Sequence, residues 1–149
     1  MRESYLYLAG QISGISYKEA TIWREYVKEK LPRNIRTLSP MRGQEWLSGE
    51  LSLSWDYEGY PLTSAAGLLA RSFFDVQRSD MVLTDLSAAS TVSQGTLCEM
   101  GWAYALRKPI ILVMDKGDIH DTPIVAEQAS LILPDLDTAL SVVKTMLAE

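Results

Sequence analysis

Met81-Val82-Leu83-Thr84-Asp85-Leu86, then Ser93-Gln94-Gly95-Thr96-Leu97-Cys98-Glu99-Met100-Gly101-Trp102-Ala103-Tyr104-Ala105, then Pro109-Ile110-Ile111-Leu112-Val113-Met114 is the stretch that decides the fold. Two short aliphatic and β-branched runs flank a segment that reads as a loop and then a helix, the pattern of two buried parallel strands joined by a crossover. The alternation continues outward in both directions. Residues 4–9 suit a first strand, which breaks at Gly10. A helix over 17–31 carries Ala20, Trp23, Val27 and Leu31 as one apolar stripe, and Pro32 stops it. Residues 35–38 form a second strand, and 64–79 a helix with Ala65, Leu68, Leu69, Phe73 and Val76 on one side. Beyond 109–114, Pro123 opens a short helix, 130–133 supply a fifth strand, and Leu136, Leu140, Val143 and Leu147 stripe a last helix. The expectation is an α/β, doubly wound (flavodoxin-like or Rossmann-like) five-stranded parallel sheet with helices on both faces, as one domain over 1–149.

In such a sheet ligands lie beyond the carboxyl ends of the strands, where loops lead into helix N-termini that favour negative charge. Glu99 then stands in the first turn of a buried helix running over 96–106, with Ser93, Gly95 and Thr96 just before it. The competing reading of Thr96-x-x-Glu99 is a capping box, with Glu99 folded back on the Thr96 amide. Gly10 and Gly14, with Ser13 and Ser16, let backbone approach a ligand, or make an ordinary strand-to-helix turn. Neither Walker spacing nor a full G-x-G-x-x-G is present, which disfavours ATP and dinucleotides. Residues 41–63 lose periodicity and gather Trp46, Trp55, Tyr57 and Tyr60, aromatics that suit a packed lid or stacking on a base. Asp85, at the cleft end of its strand, has some claim to a site role, and Asp80 reads as a solvated or capping carboxylate at a strand start.

Composition narrows the partners. The 149 residues are 47% hydrophobic and 22% charged, ordinary globular usage. A net charge of −5, with a pI near 4.9, leaves no basic surface for a phosphate backbone. Polymeric nucleic acid is therefore not expected as a partner, and any nucleotide handled is small. No apolar run approaches the roughly 18 residues needed to span a bilayer, and no signal-peptide pattern opens the chain. Cys98 stands alone and reads as a small buried hydrophobe. A soluble, cytoplasmic protein without a membrane partner is the expectation. His120 is the sole histidine, on a charged loop where it reads as exposed, and no metal or cofactor is expected.

Taken together, Asp80-Met81-Val82-Leu83, Ser93-x-Gly95-Thr96-x-x-Glu99-x-Gly101-Trp102-Ala103 and Lys108-Pro109-Ile110-Ile111 resemble the nucleoside 2-deoxyribosyltransferase family and its relatives that hydrolyse nucleoside 5'-monophosphates. Tyr7-Leu8-Ala9-Gly10 is similar to the family's first strand and turn, so the resemblance spans most of the chain and is weakest over 39–67. It implies that Glu99 is a nucleophile that forms a glycosyl-enzyme ester, resolved by water or by another base. It also implies that Gly10, Gln11, Ser13 and Gly14 line the sugar and phosphate end of the pocket. Arg42 and Trp46 are similar to a substrate-facing pair in the monophosphate hydrolases. The family's usual aspartate eight positions before Asp80 is Ser72 here, and Asp75, on the same helical face, is the substitute candidate for the acid. At the position six before the glutamate, transferases of the family carry aspartate and monophosphate hydrolases serine. Ser93, able to donate to a phosphate oxygen, tilts the reading toward hydrolysis of a 5'-monophosphate. Gly95 permits close backbone approach, and Thr96 caps the helix or touches phosphate. Thr122 is placed like a segment that reaches the neighbouring subunit's site, which implies a homo-oligomer with shared active sites.

Two further readings stand beside this one. A catalytically silent nucleotide-binding module would use Glu99 only as a capping partner. A redox flavodoxin-like protein would need a flavin-phosphate loop that the chain does not display.

Overall fold

A computed structural model describes residues 2–148. Strand β1 (Ser4–Gly10) is followed by helix α1 (Tyr17–Lys30), strand β2 (Ile35–Leu38) and helix α2 (Ala65–Arg78). Strand β3 (Met81–Asp85), helix α3 (Gln94–Ala105), strand β4 (Ile110–Val113), helix α4 (Pro123–Gln128), strand β5 (Leu131–Leu133) and helix α5 (Leu136–Leu147) complete the order. The five strands are all parallel and lie in the order β2-β1-β3-β4-β5. This is the doubly wound arrangement expected from the sequence. Its strand order reverses between β1 and β3, so the connections leave to opposite faces there and open a crevice at the carboxyl ends of those two strands. Register places Gly10 opposite Asp85 at that mouth.

The period-2 alternation of each strand divides the core in two. Leu6, Leu8, Met81, Leu83, Ile111 and Val113 pack with Val27 and Leu31 of the α1 end and with Ala139, Leu140 and Val143 of α5. Tyr7, Ala9, Val82, Ile110 and Leu112 face the other way, against Val76, Met100, Ala103 and Val125. One consequence matters for the site: Tyr7 is on the α2 and α3 side. The helices are started by side chains. Ser16 and Glu19 form a capping box on α1, the Ser64 hydroxyl accepts from Gly67 N–H, and Asp135 accepts from Thr138 N–H. Asp80 accepts the Tyr5 N–H at 2.8 Å, tying the start of β1 to that of β3.

Two expectations are corrected, on α2 and on α3. On α2 the buried residues are Ser72, Asp75 and Val76, while Leu69, Phe73 and Phe74 are exposed. Polar groups take the inward face because it borders the crevice, and Phe73 packs edge-on against Trp102 of α3 at 5.4 Å. Helix α3 buries only Thr96, Met100 and Ala103, and Cys98 is exposed on its outer side. Residues 41–63, which lack regular periodicity, are nonetheless folded against the rest of the chain. A 3-10 turn, Glu45–Leu47, brings Leu47 into a small core with Ala20, Met41 and Leu53. Backbone bonds from Gly14 N to Leu53 O, from Leu53 N to Ile15 O and from Tyr17 N to Glu50 O lay this segment along the β1–α1 turn. It therefore walls one side of the crevice.

Candidate active site

The floor of the crevice is built on a buried arginine. Arg24 of α1 is 1% exposed and donates to Leu8 O at 3.3 Å, to Gly10 O at 3.1 Å and to Ala20 O, with its guanidinium 4.6 Å from the Trp23 ring centre. Burial lowers its pKa to about 10, against the opposing pull of Tyr7, Glu99 and Asp85. Gly10 is required here by packing. A Cβ at Gly10 would lie 2.8 Å from Trp23 Cζ2 and 3.1 Å from Asp85 O, so its bareness admits neighbours of the fold rather than a ligand.

Glu99 meets this floor from above. Helix α3 begins at Gln94 with Ser93 as its N-cap, so Glu99 lies in the second turn, one turn further in than the sequence suggests. Thr96 is inside the helix and its hydroxyl is 2.7 Å from Ser93 Oγ, so the Thr96–Glu99 capping box does not form. Helical side chains tilt toward the N-terminus, which carries the Glu99 carboxylate back to the end of β1 and to Tyr7. The residue is partly exposed, yet Oε2 is sealed from solvent without a hydrogen-bond partner, as is the Tyr7 hydroxyl. The two groups act on each other without an aligned hydrogen bond between them. Burial raises the Glu99 pKa to about 7, with Arg24 and then the Tyr7 hydroxyl pulling it down. The Tyr7 hydroxyl is itself held well above its usual range by burial first and the Glu99 charge second, while Ser72 stabilises its ionised form. The result is a carboxylate with a stored desolvation cost, one counterion and one hydroxyl neighbour, the environment in which catalytic carboxylates are tuned.

Beside it, the α3 cap is fixed from the β4–α4 loop. The Ser93 N–H donates to His120 Nε2 at 2.9 Å, and His120 Nδ1 is 2.8 Å from Asp118 Oδ1. His120 is 2% exposed, which corrects the expectation of an exposed loop histidine: Asp118 and Ser93 satisfy both ring nitrogens, so burial carries no polar penalty. Asp85 is also spoken for, since its Oδ1 accepts from Ser87 N–H and hydroxyl.

Asp75 is fully buried. Its Oδ1 takes Arg78 Nε and Nη2 at 3.0 and 2.8 Å, and Arg42 Nη1 lies 2.7 Å from Oδ2, an ion contact outside hydrogen-bond alignment. Both oxygens are therefore engaged by guanidiniums, so that Asp75 anchors Arg42 and Arg78. Ser72 keeps the inward position beside Tyr7. Trp46 is 48% exposed and stacks on Tyr60 at 4.2 Å, making it part of an aromatic group with Tyr57. Trp55 is the aromatic that reaches α3, with Cζ3 3.9 Å from where a Gly95 Cβ would be. Gln11 is buried and donates to Ser13 O and Thr91 Oγ1, leaving Oε1 without a partner, and Gly14 adopts a left-handed φ of +83° in the same turn. Thr122 caps α4 without a side-chain bond and is exposed.

The site thus joins the ends of β1 and β3 to the N-terminus of α3, and brings Gly10, Gln11, Ser93, Gly95, Thr96 and Glu99 to one crevice. Sequence reasoning missed Tyr7, Arg24 and His120 as members. Arg24 was findable, since it is four residues after Ala20 and three before Val27, within the stripe that packs on the sheet. Tyr7 follows from the alternation of β1 once the face of α3 is known.

A doubly wound sheet with a desolvated carboxylate at its switch point defines an α/β enzyme acting on a small ligand. The chain belongs to the nucleoside 2-deoxyribosyltransferase family, whose sequence model matches residues 6–134. It is accordingly an enzyme of the nucleoside 2-deoxyribosyltransferase class, whose substrates are small nucleosides or nucleotides. Its fold is similar to that of the CMP N-glycosidase BcmB of Clostridium botulinum, at 16% identity and a TM-score of 0.53, over 94% of this chain and 98% of that one. No curated protein matches the chain in sequence. Among the described residues no helix is long and apolar enough to cross a membrane.

Proposed function

We propose that the protein hydrolyses the N-glycosidic bond of a nucleoside 5'-monophosphate through a covalent intermediate on Glu99. The observation that carries this reading is the Glu99 carboxylate itself, with Oε2 sealed at the crevice, its pKa pushed up to about 7 by burial, and free of any capping role. In the first step a carboxylate oxygen of Glu99 bonds to the sugar anomeric carbon as the bond to the base nitrogen breaks, and the base leaves with the electron pair and takes a proton from solvent. In the second, water attacks the same carbon and gives up a proton to solvent, the ester C–O bond breaks, and the sugar phosphate is released as the Glu99 carboxylate is regenerated. Arg24 compensates the ionised carboxylate between turnovers, and the Tyr7 hydroxyl is within reach to solvate it. Ionisation is required for attack, so activity rises with pH through about 7.

Ser93 supports the monophosphate substrate. Its hydroxyl and that of Thr96 sit together at the start of α3, donors suited to a phosphate where an acidic side chain would repel it. The turn holding Gln11, Ser13 and Gly14 borders the sugar, and Arg42, anchored by Asp75, stands with Trp46 on the loop wall at the base end. Thr122 is assigned to the neighbouring subunit's site in a homo-oligomer. The test is chromatographic: incubate the protein with a panel of nucleosides and 5'-monophosphates, with and without a second free base. Free base from monophosphates alone supports hydrolysis. Exchange that needs a second base and ignores monophosphates overturns the hydrolase reading in favour of transfer, and silence across the panel, in wild type as in Glu99→Gln, overturns catalysis altogether.

A further inference from the structure

The chain's one histidine is buried where a loop residue is ordinarily solvated, and both ring nitrogens are engaged. A backbone N–H can only donate, so the 2.9 Å bond from Ser93 N requires a lone pair on Nε2 and puts the ring proton on Nδ1. Asp118 selects that tautomer: its Oδ1 is 2.8 Å from Nδ1 and also accepts the His120 N–H at 2.8 Å. The loop is braced in turn by Gly117 N donating to Asp121 Oδ2 at 2.8 Å and Thr122 N donating to His120 O at 2.9 Å. Ser93 is an N-cap whose side chain makes no capping bond, because its hydroxyl is turned to Thr96. The Ser93 backbone is therefore held on both sides: its N–H by the imidazole, and its carbonyl by the helix, through the Leu97 N–H at 3.1 Å.

We propose that His120 is the positioning residue of the α3 cap, with Asp118 fixing the ring and Nε2 holding the Ser93 N–H so that the Ser93 and Thr96 hydroxyls are presented to the substrate's phosphate. The inference rests on the assignment of Ser93 to phosphate made above. His120 does not touch substrate; it acts through Ser93. Displacing such a donor by about 1 Å costs roughly ten- to hundredfold in its interaction.

Two variants separate positioning from mere stability. His120→Gln places a carbonyl oxygen near the position of Nε2 and can still accept from Ser93 N–H. His120→Asn retains a donor toward Asp118 but is too short to reach Ser93. The expected result is that His120→Asn raises KM for a 5'-monophosphate roughly tenfold or more, with a much smaller rise for the matching nucleoside and little change in kcat. His120→Gln restores most of the loss. Equal losses on nucleoside and monophosphate, or Asn and Gln variants that behave alike, overturn the proposal. A readout independent of turnover is the histidine 15N spectrum of the whole protein, unambiguous with a single histidine. An Nδ1–H tautomer coupled to the Ser93 amide is expected, and an Nε2–H tautomer overturns the proposal. If the wild type cleaves nothing in the panel, the glycosidase reading fails by itself. The positioning role is then judged by inorganic phosphate binding in calorimetry, weakened in His120→Asn if correct and unchanged if not.

Discussion

Replacing Glu99 with Gln removes a charge that the folded chain keeps at a cost, so the variant should be more stable than the wild type in a pH-dependent way. The folded-state pKa is raised from the ordinary 4.5 to about 7, which makes the protonated carboxyl the form that the fold favours. Its contribution is fully present below 4.5 and is lost as pH rises through 7. The gap corresponds to about 3 kcal/mol once the group is ionised. Glutamine is close to the protonated carboxyl in shape and cannot ionise. Wild type and Glu99→Gln should therefore have similar stability near pH 4.5, and the variant should gain on the wild type to reach about 3 kcal/mol by pH 8, equivalent to roughly 10 °C in melting temperature for a chain of this size. Urea denaturation of both proteins at half-unit pH intervals measures this difference directly. A difference that is flat with pH, or one in which the wild type gains as pH rises, refutes the idea that Glu99 is held desolvated against Arg24 and Tyr7. The direction is that of a functional residue, which lowers stability where it raises activity.

Arg24→Met strips donors from Leu8 O, Gly10 O and Ala20 O and leaves Glu99 without its counterion, so a loss of about 3–5 kcal/mol is expected in denaturant unfolding. The acid limb of kcat/KM should move above 7, because the first-ranked influence lowering the Glu99 pKa is gone. Tyr7→Phe should shift the same limb upward by less, at a stability cost under about 1 kcal/mol, since the hydroxyl it removes has no aligned hydrogen bond. Asp75→Asn should raise KM through a loosened Arg42 while kcat persists, and should cost about 1–3 kcal/mol in stability; a collapse of kcat at unchanged KM would instead make Asp75 the acid.

Strand and helix order was legible because it rests on periodicity, and the runs 81–86 and 109–114 are too apolar to be anything but buried. Boundaries moved where side chains bond locally: Ser93 became the cap of α3, advancing the helix start by two residues and moving Glu99 from its first turn to its second. The Glu99 motif could be read, but its environment could not, because Tyr7 and Arg24 come from β1 and α1 and meet it only through the sheet order. The faces of α2 and α3 were misjudged because hydrophobicity was taken as a sign of burial. Polar Ser72 and Asp75 turn inward since Tyr7 and two arginines satisfy them there, while Leu69, Phe74 and Tyr104 are left outside. His120 went unread for the opposite reason. Its partners, Asp118 two residues away and Ser93 on another loop, become visible as a pair only in three dimensions.

The central claim is that Glu99 bonds covalently to the sugar, and trapping that ester tests it most directly. A 5'-monophosphate carrying fluorine at the sugar 2-position slows breakdown of the intermediate, and intact-protein mass spectrometry followed by peptide mapping locates the adduct. One sugar-phosphate equivalent per chain on the peptide containing Glu99, absent in Glu99→Gln, is the predicted result. Base release without any adduct, an adduct at another residue, or undiminished turnover in Glu99→Gln would contradict it.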